Sequence, residues 1–69
     1  MTLSKLKKYV GKNVKVHFRH SRRKEIGIIE YRPKDRICNY YLYQPQYFGG
    51  LFYICLNPKR IGYIEIIGE

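Results

Sequence analysis

The sequence predicts a mostly β domain: a small five-stranded antiparallel barrel, strongly bent, with a short helix at its N-terminus. Three observations carry that expectation. The apolar period changes from helical to alternating at Gly11. Short apolar runs divided by Pro, Gly, Asn and Asp follow it. The second run contains Gly27, and a glycine inside a strand marks a bend or a close backbone approach. At 69 residues the chain forms one domain, residues 1–69. A domain this small buries only about 60% of its unfolded surface, so tight β-pairing or self-association has to reinforce it.

Leu3, Leu6 and Val10 fall at i, i+3, i+7 with Lys5, Lys7 and Lys8 between them, which predicts an amphipathic helix over about residues 2–10. Thr2 or Ser4 can cap its start and Gly11 can stop it. Two turns are too few to stand alone, so the helix must dock. Val14, Val16 and Phe18 then alternate with Lys15, His17 and Arg19, a half-buried strand over about 13–19. The segment His20-Ser21-Arg22-Arg23-Lys24 is a charged turn, and Glu25 to Tyr31 is the second strand. Arg32-Pro33-Lys34-Asp35 ends it, with Pro fixing φ and Asp tolerating turn geometry. Ile37 to Tyr43 is the third strand, closed by Gln44-Pro45-Gln46 and Gly49-Gly50. Leu51 to Leu56 is the fourth and, after Asn57-Pro58, Ile61 to Ile67 is the fifth. The sequence has no internal repeat, low-complexity tract or linker.

The charge is unevenly placed. Residues 1–36 hold twelve of the fourteen Lys and Arg against three acids, whereas residues 37–69 are neutral and hold eight of the eleven aromatic residues. A net charge of +9 on so small a chain attracts polyanions: nucleic acid first, an anionic membrane or an acidic protein patch second. No apolar run reaches the ~20 residues of a membrane span, and the segment after Met1 lacks the apolar stretch of a secretory signal. Two cysteines are too few for a disulfide framework, so Cys38 and Cys55 are expected to be reduced, buried, small apolar residues of a cytoplasmic protein.

No Cys-x-x-Cys or Cys-x-x-His pair is present for zinc, and no cofactor is expected. Five acids, no glycine-rich phosphate loop and a chance combination of Cys with His argue against an enzyme.

Val14, Val16 and Phe18, then Gly27, then Asp35-Arg36-Ile37-Cys38-Asn39 followed by Tyr40 and Leu42, form a series that resembles the first motif of the Sm-like proteins (the Sm, Lsm and Hfq superfamily). Cys38 stands where that family has Met. Ile54-Cys55-Leu56, Asn57-Pro58-Lys59-Arg60 and Ile61-Gly62-Tyr63-Ile64 resemble the second motif, with Asn57-Pro58 in place of its Arg-Gly. The resemblance implies an SH3-like barrel with an N-terminal helix, closed into a ring by pairing strand four with strand five of a neighbour, and RNA bound in the pore. It implies a base contact for Asn39 and a loop-positioning role for Asp35. Asn57 replaces the arginine that contacts RNA in the family, and Pro58 has no N–H to donate. Lys59 or Arg60 would take over that contact.

Nucleic-acid binding also follows from the residues themselves. Arg19, Arg22, Arg23 and Lys24 place four cations within six residues, a phosphate-binding cluster whose alternative is a solvated hairpin tip. Tyr41 and Tyr43 share one strand face, and Tyr40 and Leu42 share the other. One face is core; the other is a base-stacking platform or a protein interface. Phosphate needs charge nearby, and Tyr43 to Tyr53 lie in the neutral half, so an interface is expected there. The expected function is non-catalytic nucleic-acid binding, RNA before DNA, in RNA metabolism or regulation. Coating of duplex DNA without sequence preference is one alternative. A phage-type adaptor or inhibitor docking on an acidic protein is the other.

Overall fold

The structure, a computed structural model, describes residues 1–45 and 52–68. Helix α1 (Leu3–Lys7) precedes strands β1 (Asn13–Phe18), β2 (Lys24–Tyr31), β3 (Tyr40–Gln44), β4 (Phe52–Cys55) and β5 (Ile61–Gly68). One 3₁₀ turn (Pro58–Arg60) joins β4 to β5. The strands form one antiparallel sheet of order β4-β3-β2-β1-β5. The fold is mostly β with a short N-terminal helix, as expected; the sheet is strongly bent and not closed, with β4 and β5 as its two edges. Gln46, Tyr47, Phe48, the Gly49-Gly50 signal and Leu51 lie outside the described residues.

The helix is shorter than its apolar spacing predicts. The Lys5 amide donates to Thr2 Oγ1 at 3.3 Å, and Leu6 is the side chain α1 buries. Val10 leaves the helix because β2 competes for it. Gly11, at φ 82°, donates its N–H to the Ile29 carbonyl at 2.8 Å, and Val10 forms a parallel bridge with Ile29.

Leu6 joins Val14, Val16, Ile29, Tyr40, Leu42, Leu56, Ile61 and Ile64 in one core. Gly27 marks a close approach, as a strand glycine should. A Cβ there would collide with the Tyr43 carbonyl oxygen and lie 3.0 Å from Leu42 Cγ. β3 begins at Tyr40 rather than Ile37 because Asp35 Oδ1 accepts the Ile37 and Cys38 amides at 2.8 and 3.2 Å. Those donors would otherwise enter the ladder, and the side chain makes them a loop instead.

The segment from Leu56 to Ile61 crosses the bent sheet. Leu56 donates its amide to the Tyr40 carbonyl at 2.9 Å, beside the start of β3, whereas Ile61 pairs with Phe18 at the end of β1. Those two places lie at opposite ends of β2, since His17 pairs with Lys24 and Tyr40 with Tyr31. Leu56 and Ile61 are both buried, so the crossing is anchored in the core at each end.

Candidate nucleic-acid interface

The β2–β3 loop holds itself together through the residues that the sequence marks for RNA. Asp35 Oδ1 accepts the two amides that delay β3, and Oδ2 accepts the Tyr41 hydroxyl at 3.0 Å. The Ile37 and Cys38 amides, then the Tyr41 hydroxyl, hold the Asp35 carboxyl below the usual carboxylate range. Burial, then the Asp35 bond, push the Tyr41 phenol up. Asn39 Nδ2 donates to the Arg32 carbonyl at 3.1 Å, with the Pro33 and Asp35 carbonyls each at 3.4 Å. With its amide donors turned into the loop, Asn39 can present only Oδ1 to a base. Asn57 caps the 3₁₀ turn, its Oδ1 accepting the Lys59 amide at 3.0 Å. Asn39 and Asn57 line one cavity of about 200 Å³ with Leu3, Tyr40 and Pro58, so the structure brings these two together.

The remaining candidates gather at another end of the sheet. Arg19 donates its backbone N–H to the Arg60 carbonyl at 2.8 Å, which joins the β1–β2 turn to the 3₁₀ turn. The two basic turns that the sequence keeps apart are therefore joined at Arg19 and Arg60. Arg19, Arg22, Lys24, Lys59 and Arg60 are all exposed. Arg23 differs from its neighbours. Its Nε donates to Glu25 Oε2 at 3.0 Å and its guanidinium lies 4.9 Å from the Phe18 ring centre. A hydrogen bond from Gln44 and the Arg23 charge hold the Glu25 carboxyl below its ordinary value against an opposing effect of burial.

Ion pairs among the described residues are few. Glu25 pairs with Arg23, Glu30 with Arg32 and Glu65 with His17, while Asp35 serves its own loop. Among the described residues these pairs neutralise Arg23 and Arg32, which leaves Arg19, Arg22, Lys24, Lys59 and Arg60 at the basic end without an acidic partner there.

A third cluster changes the reading of the tyrosines. Tyr43 and Tyr53 face each other across β3 and β4 and stack at 5.1 Å, and Tyr41 meets Tyr53 edge-on at 6.2 Å. The Arg32 guanidinium, held by Glu30 at 3.2 Å, lies 4.4 Å from the Tyr53 ring centre and 5.0 Å from that of Tyr41. The premise that no charge lies near these rings is therefore wrong. Pairing of β2 with β3 carries a cation of the basic half onto the aromatic half. Arg32 directly follows β2, and the hairpin itself was the signal that placed it beside β3.

Cys38 and Cys55 are joined as a disulfide with Cα atoms 6.0 Å apart; Cys38 is buried and Cys55 exposed. The expectation of two reduced, buried thiols is thereby corrected. The register that sets Cys55 opposite Tyr41 and the loop that delays β3 bring them together, and no sequence spacing announces either. Among the described residues no three His, Cys, Asp or Glu side chains gather as metal ligands, and no helix is long and apolar enough to cross a membrane. Comparison with protein-family models, curated proteins and solved structures returns no match.

Proposed function

We propose that this chain is a non-catalytic nucleic-acid-binding protein, RNA before DNA, acting in RNA metabolism or regulation as an Sm-like barrel. The observation that carries the reading is the exposed, unneutralised basic end built from Arg19, Arg22, Lys24, Lys59 and Arg60. Cations so placed bind phosphate oxygens and release counterions, without base preference of their own. Base contact falls to the β2–β3 loop at the other end of β2, where Asp35 sets the backbone and Asn39 offers Oδ1, and Asn57 holds the turn that leads from there to Lys59 and Arg60.

The N-terminal helix on a five-stranded bent sheet supports the Sm-like reading. So do the edges: β4 (Phe-Tyr-Ile-Cys) has no charge, and Glu65 is the one charged residue in β5. Edges without charges are open to pairing, and a homo-oligomeric ring through β4 and the neighbour's β5 uses both. The compartment of this reading is the cytoplasm.

Titration of labelled twelve-nucleotide oligo(U) and oligo(A) RNA across about 50–200 mM salt tests the proposal. Binding should fall steeply as salt rises, and Arg19→Ala with Arg60→Ala should flatten the slope. A particle mass of several protomers supports the ring. No binding at the lowest salt removes the nucleic-acid reading and leaves an adaptor for an acidic protein.

A further inference from the structure

We infer that the outer face of β3 and β4 is a stacking platform for single-stranded RNA, with Tyr43 and Tyr53 meeting the bases and Arg32 joining their stack. The inference rests on the nucleic-acid reading and adds to it a second surface, apart from the basic end and beside the Asn39 loop.

Three observations carry it. First, the rings are ordered before any ligand arrives. Asp35 holds the Tyr41 hydroxyl at 3.0 Å, Tyr41 abuts Tyr53, and Tyr53 stacks on Tyr43 at 5.1 Å. A preformed platform loses little entropy on binding. Second, the platform is partly open. Tyr53 is 37% exposed and the Arg32 side chain 43%. Tyr43 and Arg32 already lie against the Tyr53 ring, so bases extend the stack beyond them, and a guanidinium plane stacks on bases as rings do. Third, cations flank it. Lys34 and Arg36 are exposed on the loop that follows Arg32, and the nearby acids Glu30 and Asp35 are already engaged.

The same observations select the ligand. Bases in a duplex are covered by their neighbours, so rings on a sheet face can stack only on unpaired bases. A cationic ligand in the corner of Tyr41 and Tyr53 would have to displace Arg32 and approach a chain of net charge +9. An apolar protein partner would bury the Arg32–Glu30 pair, at a desolvation cost that its mutual attraction does not recover.

The test uses the full chain, twelve-nucleotide oligo(U), and an RNA duplex of the same length. Tyr53→Leu keeps the apolar bulk and removes the π face; Tyr53→Phe keeps both. Tyr53→Leu should weaken oligo(U) binding by roughly 5- to 160-fold, the range of one base stack, and leave duplex binding unchanged. Tyr53→Phe should bind as the parent does, and photocrosslinking of 5-iodouridine oligomer should mark Tyr43 or Tyr53. Oligo(U) binding by the parent that Tyr53→Leu does not alter overturns the platform and leaves the basic-end reading standing. Equal weakening of oligo(U) and duplex overturns it too, because the residue would then act through the fold. A drop in particle mass with unchanged RNA affinity overturns it in favour of a subunit contact. Failure of the parent to bind either RNA at low salt removes the nucleic-acid reading itself.

Discussion

The β2–β3 loop and the basic end carry the same kinds of residue that a nucleic-acid site needs, yet they use them in opposite ways. In the loop the polar groups face inward: Asp35 takes two amides and a phenol, and Asn39 donates to carbonyls of the segment it closes. Among the described residues Arg23 alone is paired with an acid at the basic end; Arg19, Arg22, Lys24, Lys59 and Arg60 are exposed and have no acidic partner there. Residue type did not separate the two regions. What separates them is whether the hydrogen-bonding capacity is already used inside the fold. The loop should therefore respond to mutation in stability as well as in binding, and the basic end in binding alone.

The largest effect should come from the covalent tie at the loop. Cys55→Ser, or reduction of the parent, opens a bridge across 17 residues and should lower unfolding stability by about 3 kcal/mol in urea denaturation. A change in stability too small to measure would show that hydrogen bonds alone hold the loop to β4. Asn39→Ala comes next. It leaves the Arg32 carbonyl without its side-chain donor and should cost about 1 kcal/mol. If it instead abolished RNA binding with stability intact, the inward-facing reading of the loop would fail.

The acid limb offers a finer probe. The folded Asp35 carboxyl titrates below its unfolded value, so it binds its proton less readily in the native state. Its stabilisation is complete above the unfolded value near ~3.9 and is lost as pH falls through the lower folded one. Asp35→Asn should flatten the decline of melting temperature across that acid window relative to the parent. Glu25, also lowered, supplies the decline that remains.

The smallest stability change should belong to the other region. Arg22→Ala and Arg60→Ala should each stay within about 0.5 kcal/mol of the parent in stability. Each should also reduce the salt slope of RNA binding by about 0.7–0.9 for every phosphate left without its cation. A large drop in stability from either would erase the contrast between the two regions.

Local pattern made part of this molecule readable. The alternation of Val14 and Val16 located β1 and its buried face, Gly27 announced the close approach to β3, and the segment after Asn57-Pro58 was read as a strand. What the pattern missed lies in register. The stacking of Arg32 on Tyr53, the bond from Arg19 to Arg60, and the pairing of Cys38 with Cys55 each join residues far apart in the chain. Periodicity fixes which face a residue occupies and says nothing of which neighbour it meets. The end of α1 was missed for a related reason: Ile29 offered Gly11 and Val10 a partner that helix propensity could not anticipate.

The pairing of β1 with β5 bears on how the chain assembles. β1, β2 and β3 are neighbours in both sequence and space, so their pairings close only short loops. β5 must return to β1 from the far end of the chain, setting Ile64 beside Val16. Closure of that long loop is the slow kind of event that delays small β proteins. The expected order is an early three-stranded meander and a late arrival of β5. Ile64→Val should then accelerate unfolding and barely change the folding rate in stopped-flow measurements; the reverse result would place β5 in the nucleus.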